Sequence, residues 1–190
     1  TFNGFSYDCQ GSITKEDHTI QCYGGTVHGQ EDFYAAFAKS CNCAFAEMGT
    51  QLGGAALLKT SENLLFNQKL PLRSYRKSSF TLNGSSGVPL TMQTAIGQGK
   101  TTITPLQNAL ISATIANDGN LMTPYLVDRI ESVDGNIVKK YKPEVRRKVI
   151  SKKRSNQITG MMRSVVSDGT AGSLKNLSYP VALSLIHISE

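Results

Sequence analysis

Apolar residues fall at Phe33, Phe37, Cys41, Phe45 and Met48, in steps of four and three. That spacing lines one face of an α-helix. Ser40 and Asn42 interrupt the face, and their side chains compete for backbone hydrogen bonds inside a helix. The pattern therefore predicts two helical pieces within residues 30–53, broken near Ser40. Ser40 is expected to cap the second piece, and Gly53 and Gly54 are expected to end it. Residues 55–65 are expected to continue as a further helix.

Elsewhere the pattern is less regular. Residues 1–29 hold Gly4, Gly11, Gly24, Gly25 and Gly29 without a sustained period, which predicts turns and short extended pieces. Residues 66–92 are expected to be mostly irregular, because Pro71, Pro89 and the cluster Asn83-Gly84-Ser85-Ser86-Gly87 break regular structure. Residues 95–99 read A-I-G-Q-G, a tight turn whose glycines let backbone approach a neighbour closely. It is not a phosphate loop, since G-x-x-x-x-G-K-[ST] is absent. The best-marked helix follows. Thr104, Pro105 and Gln107 start it, Leu106, Ala109, Leu110, Ala113 and Ala116 line its predicted apolar face, and Asn117-Asp118-Gly119 stops it. Residues 125–141 read as a hairpin, with two β-rich runs around Asp134-Gly135. A last helix is predicted from a Ser151 cap, with Ile158, Met161, Met162 and Val165 on one face and Asp168-Gly169 at its end.

The chain has 190 residues, 39% apolar and 18% charged. Those proportions fit one globular domain, or part of one, and exclude wholesale disorder. The net charge of +6 favours anionic partners in principle. Much of it lies in one run, residues 139–154, in which Tyr141 is the single aromatic residue, rather than in an aromatic-interleaved patch, so a solvated face is the expected reading and nucleic acid is not an expected partner. There is no stretch of about eighteen apolar residues, so no membrane span is predicted.

Four cysteines are present: Cys9, Cys22, Cys41 and Cys43. Cys9 and Cys22 flank a polar loop and are a candidate disulfide, one that fits an oxidising, extracytoplasmic location. Cys41 and Cys43 are too close in sequence to pair easily, and small core residues are their expected role. A metal set drawn from Cys9, His18, Cys22 and His28 has the spacing C-x8-H-x3-C-x5-H. That is not a familiar zinc pattern, so no metal and no cofactor is expected.

Ser40-Cys41-Asn42 is a weak signal taken alone. Its setting is more specific. The stretch HGQEDFYAAFAKSCNCAFAEMGTQLG, followed by AIGQG and then by TPLQNALISATIANDGNLMTPYLV, resembles the transpeptidase domain of penicillin-binding proteins. The resemblance runs from about residue 5 to residue 182, and residues 96–124 are its most specific part. It implies an α/β fold of the β-lactamase and transpeptidase type, here expected to be incomplete: a helical subregion plus part of the antiparallel sheet. Residues 1–182 are expected to form this partial domain. Residues 183–190 have no counterpart in the family and are expected to be a foreign tail.

By the same resemblance, the chemistry is acyl transfer through a serine nucleophile. The family builds its site from S-x-x-K, S-x-N and K-T-G. Ser40 and Asn42 carry over onto S-x-N, which relays protons and orients the substrate amide. Gly97, Gln98 and Gly99 are expected to shape the cleft. Ser12-Ile13-Thr14-Lys15 and Ser74-Tyr75-Arg76-Lys77 match S-x-x-K by letters only. The first lies in a loop rich in glycine and charge, and the second lies downstream of S-x-N, reversing the family's order. The nucleophile is therefore expected upstream of Thr1, K-T-G is absent, and the chain by itself is expected to be inactive.

The expectation for the parent protein is a peptidoglycan D,D-transpeptidase that cross-links stem peptides through an acyl-serine intermediate. Stem peptides and β-lactams would be its ligands and a cell-wall glycosyltransferase its partner. Its place would be the outer face of the bacterial plasma membrane, held by an anchor missing from this chain. The alternative is a non-catalytic extracytoplasmic binding module, or a β-lactam sensor domain of the same fold.

Overall fold

The computed structural model describes residues 4–72 and 75–184. The chain begins with four short strands, β1 (Ser6–Cys9), β2 (Ser12–Lys15), β3 (His18–Gln21) and β4 (Gly29–Asp32). They pair antiparallel as two ribbons, β1 with β4 and β2 with β3. Ser12 and Lys15 thus belong to a strand, not to the buried helix an S-x-x-K nucleophile requires. Ser74 lies outside the described residues.

The Phe-rich segment forms the two expected helices, α1 (Phe33–Ala38) and α2 (Asn42–Asn63). Their details differ from the sequence reading in two ways. Asp32 caps α1, accepting a hydrogen bond from Ala35 N–H at 2.8 Å. Cys41, not Ser40, caps α2, and its sulfur accepts from Ala44 N–H at 3.4 Å. Ser40 instead occupies the left-handed region, φ 55°, and turns the chain between the helices. Gly53 does not stop α2 but kinks it, at φ 77° and ψ 159°, a backbone state open to glycine. Residues 55–63 then continue the helix, as the sequence predicts.

Residues 66–92 are irregular only in part. Helix α3 (Val88–Ala95) begins with Pro89 in its first turn. Proline breaks a helix interior but is favoured at the start, where its missing N–H costs nothing; reading Pro89 as a breaker hid this element. Helix α4 (Pro105–Ala116) follows, with Thr104 Oγ1 accepting from Gln107 N–H at 3.2 Å. Its buried stripe is Gln107, Leu110 and Thr114, while Ala109, Ala113 and Ala116 are exposed, correcting the predicted apolar face. Buried Gln107 is satisfied: its amide N–H donates to Leu64 O, and its Oε1 accepts from the Tyr75 hydroxyl at 3.1 Å.

Strands β5 (Asn120–Met122) and β8 (Val145–Lys148) pair with each other, as do β6 (Arg129–Glu131) and β7 (Ile137–Lys140). The latter two form the predicted hairpin, turning at Gly135 with φ 80°. Helix α5 (Lys152–Ser167) starts at the predicted cap, Ser151, which accepts from Arg154 N–H at 3.3 Å. It buries Met161, Met162, Val165 and Val166. Residues 181–183 lie against it, and Leu183 N–H donates to Met162 O at 2.9 Å. Of the expected tail, only residues 183 and 184 are described. The result is the mixed arrangement of helices and antiparallel strands anticipated from the resemblance.

Candidate functional site

The break between α1 and α2 is held from several sides. The Cys41 N–H donates to Ala36 O at 2.9 Å, closing the end of α1. Gly169 packs its backbone on Ala38 O, and Thr170 N–H donates to the same oxygen at 3.3 Å. Asn42, the first residue of α2, donates from Nδ2 to Gln21 O at 2.9 Å, which ties it to the end of β3. Ser40 and Asn42 are both half-buried, so neither is sealed in a closed core. Between them Cys41 points inward and is fully buried. The turn therefore leaves two polar side chains at the surface while its middle residue anchors it.

The second part of the site is carried by α3. Gly49 of α2 sits against Ala95 and the Thr91 carbonyl, an approach with no room for a Cβ. Ala46 packs with Met92, Ile20 and Ile96. This contact fixes the α3 terminus, where Gly97 N–H donates to Thr94 O and Gln98 N–H to Gln93 O. Gly97 and Gly99 are exposed with φ 79° and 86°, and Gln98 between them is half-buried. The S-x-N turn and the G-Q-G turn thus flank one helix pair, α2 and α3.

Beneath the S-x-N turn lies a dense group of thiols. Cys9, Cys22, Cys41 and Cys43 are all buried and all free. The candidate disulfide between Cys9 and Cys22 is not formed; their sulfurs stand 3.6 Å apart. Cys22 lies 3.8 Å from Cys41 and 3.5 Å from Cys43, and His28 Nδ1 lies 3.5 Å from Cys9 Sγ. Cys9, Cys22, His28 and Cys41 hold their donor atoms within 4.8 Å of one another. His18, weighed from sequence in such a set, is not among them; Cys41 takes its place. Sequence reading missed Cys41 because it lies nineteen residues beyond Cys22, across β4 and α1, a separation typical of no short metal motif.

The thiols are electrostatically unequal. Burial pushes the Cys9 thiol up, but hydrogen bonds from the His28 and Gly11 backbone and from the Cys41 and His28 side chains outweigh it, and it falls to about 6. Burial pushes Cys41 and Cys43 up. It also raises the neighbouring Tyr7 hydroxyl, with the thiols adding to the effect. Glu31, whose side chain is wholly buried beside this group, has Lys39 Nζ 3.3 Å from its carboxylate.

With the S-x-N turn, the G-Q-G turn and the helix pair between them in place, comparison with known proteins decides the family. The family model of the penicillin binding protein transpeptidase domain matches residues 2–183. The chain belongs to that family. Among curated relatives it is 34% identical over 147 residues to the peptidoglycan D,D-transpeptidase PbpA of Mycolicibacterium smegmatis, covering 76% of this chain and 30% of that protein. It is 32% identical over 167 residues to stage V sporulation protein D of Bacillus subtilis, covering 86% of this chain and 26% of that protein. The crystal structure of PBPA from Mycobacterium tuberculosis superposes with a TM-score of 0.80 at 25% identity, over 86% of this chain and 39% of the other. A structure of the same mycobacterial protein as an imipenem acyl-enzyme complex superposes equally well, at 0.80 and 25% identity. The chain therefore spans between about a quarter and two fifths of the length of these relatives.

Proposed function

We propose that this chain contributes the S-x-N corner of a peptidoglycan D,D-transpeptidase that works through an acyl-serine intermediate. The observation that carries the reading is the turn at Ser40-Cys41-Asn42. A helix break in a family transpeptidase domain leaves a hydroxyl and a carboxamide half-buried and buries the residue between them.

In this reading Ser40 Oγ passes a proton between the nucleophile and the leaving nitrogen, since a hydroxyl both donates and accepts. Asn42 orients the amide of the stem peptide or β-lactam. Its tie to Gln21 O fixes where that amide group sits. The Gly97-Gln98-Gly99 turn borders the cleft, where bare backbone allows close approach of substrate. The nucleophile, its lysine and the K-T-G strand lie outside residues 1–190. A glycosyltransferase partner and a position on the outer face of the plasma membrane, through an anchor elsewhere in the parent protein, belong to the same proposal.

The test uses fluorescent penicillin on the isolated chain and on the longest reading frame that contains it. The isolated chain is expected to take no covalent label, and the longer protein is expected to label on a serine outside residues 1–190. In that longer protein Ser40→Ala should slow acylation by about a hundredfold. A labelled Ser12, or an unchanged acylation rate in the Ser40→Ala protein, defeats the reading.

A further inference from the structure

We propose that Cys9, Cys22, His28 and Cys41 form a structural zinc site that clamps the S-x-N turn to the two N-terminal ribbons. The four ligands come from four separate places: the end of β1, the residue after β3, the residue before β4 and the cap of α2.

Their distances fit a tetrahedral ion. Zinc holds sulfur at about 2.3 Å and nitrogen at about 2.0–2.1 Å, so tetrahedral geometry separates two sulfurs by about 3.8 Å and sulfur from nitrogen by about 3.6 Å. Three of the six separations are 3.6 Å for Cys9 to Cys22, 3.8 Å for Cys22 to Cys41 and 3.5 Å for Cys9 to His28 Nδ1, and all four donor atoms lie within 4.8 Å of one another. A disulfide would need its sulfurs at about 2.05 Å. Three thiolates and one imidazole are a borderline-soft set of the kind zinc prefers, and hard cations such as magnesium or calcium do not suit it.

The surroundings complete the arrangement. Ala44 N–H donates to Cys41 Sγ at 3.4 Å, and Cys43 Sγ packs 3.5 Å from Cys22 Sγ. Such outer hydrogen bonds hold thiolate ligands in place. All three cysteine ligands are at most 3% exposed. His28, half-buried, supplies the fourth ligand from the rim. A site with all four positions filled by protein ligands is structural, since a catalytic zinc keeps an open position. Zinc coordination would also keep the thiols from pairing in an oxidising compartment. The ion would act on the turn through Cys41, the residue between Ser40 and Asn42. The ligand positions define this site whether or not the chain takes part in acyl transfer.

The test is the untagged full chain, purified from zinc-supplemented cultures and analysed for metal. Equimolar zinc is expected. Exchange against cobalt should give the intense visible bands of a tetrahedral thiolate complex, with a sulfur-to-cobalt charge-transfer band. His28→Ala changes a half-buried side chain and should weaken zinc binding strongly, whereas Cys43→Ser should keep equimolar zinc with affinity lowered by no more than about tenfold. Chelation of the wild-type chain should raise hydrogen exchange in residues 39–44. The proposal is overturned if the reduced chain binds neither zinc nor cobalt, or if peptide mapping finds Cys9 bonded to Cys22 in metal-free protein. It is overturned too if Cys43→Ser loses the metal as completely as His28→Ala, or if chelation leaves exchange at residues 39–44 unchanged.

Discussion

Two parts of this molecule use similar short antiparallel strands to opposite ends. In the N-terminal ribbons Cys9, Ile20 and Glu31 are buried and meet the ends of α1 and α2. In the hairpin of β6 and β7 every strand residue is exposed, Val133 at its turn is fully exposed, and Ile137 and Val138 keep more than half of their surface open to solvent. Surface contacts such as Lys139 Nζ over the Tyr141 ring at 4.6 Å are the kind that hairpin makes. The difference teaches that strand propensity alone places no residue in a core. What the first ribbons have, and the second lacks, is a helix set across them by a tight turn.

Substitutions can break that contrast. The largest effect is expected where the turn is gripped from outside. A Cβ on Gly169 would stand 2.0 Å from Ala38 O and 2.9 Å from Val165 O, both rigid backbone. Gly169→Ala should therefore cost about 3 kcal/mol, near the upper end for overpacking, read as a lower denaturation midpoint. Wild-type stability in that variant would mean that α5 is not seated on the end of α1.

Next comes Ser40 itself. A left-handed residue with a Cβ carries about 1–2 kcal/mol of strain. A β-branched side chain tolerates that state worse, so Ser40→Val should destabilise by about 2 kcal/mol. Ser40→Gly should leave urea stability within about 0.5 kcal/mol, because relief of strain is offset by the freer unfolded chain. If the valine and glycine variants are equally stable, the turn does not hold the conformation described.

A smaller effect is expected at Glu47, whose carboxylate lies 2.8 Å from Lys15 Nζ and joins α2 to β2. Burial pushes this carboxyl up, but hydrogen bonds from Lys15 and Gln51 and the charge of Lys15 outweigh it and hold it below the usual value. The folded state therefore favours the ionised form. Its contribution should be complete above the ordinary carboxylate range and vanish as the pH falls through the lowered value. Both groups are partly exposed, so Glu47→Gln should cost about 0.5 kcal/mol at neutral pH and nothing in strong acid. Equal stability loss at both pH values would show that packing, not charge, is at work.

The smallest effect should come from the outer hairpin. Val133→Thr and Ile137→Thr should each change thermal stability by less than about 0.5 kcal/mol, because Val133 is fully exposed and Ile137 mostly so. A large loss from either would erase the contrast between the two regions.

Local chemistry written in single residues was legible from the outset. Phe33, Phe37, Phe45 and Met48 gave the helical period, Ser40 and Asn42 marked the break, and Thr104, Ser151 and Asp134-Gly135 announced two helix starts and a hairpin turn. Each of these signals acts over a few residues, through backbone hydrogen bonds and allowed dihedrals, so the linear order contains it. Pro89 misled because one residue type has opposite effects at a helix start and in a helix interior, and only the chain's path says which applies. The buried stripe of α4 misled for a related reason: Gln107 enters the core because Leu64 O and the Tyr75 hydroxyl wait there for it.

By itself, then, the order of residues determined the family, most of the elements and the position of the S-x-N turn. Tertiary structure alone decided that Cys41 joins Cys9, Cys22 and His28 beneath that turn, and that the first ribbons are buried while the last hairpin stands free. The reason is physical. Periodicity and capping are local and repeat along the chain, whereas the meeting of four side chains from four segments depends on how helices and ribbons pack together, which no spacing in the sequence records.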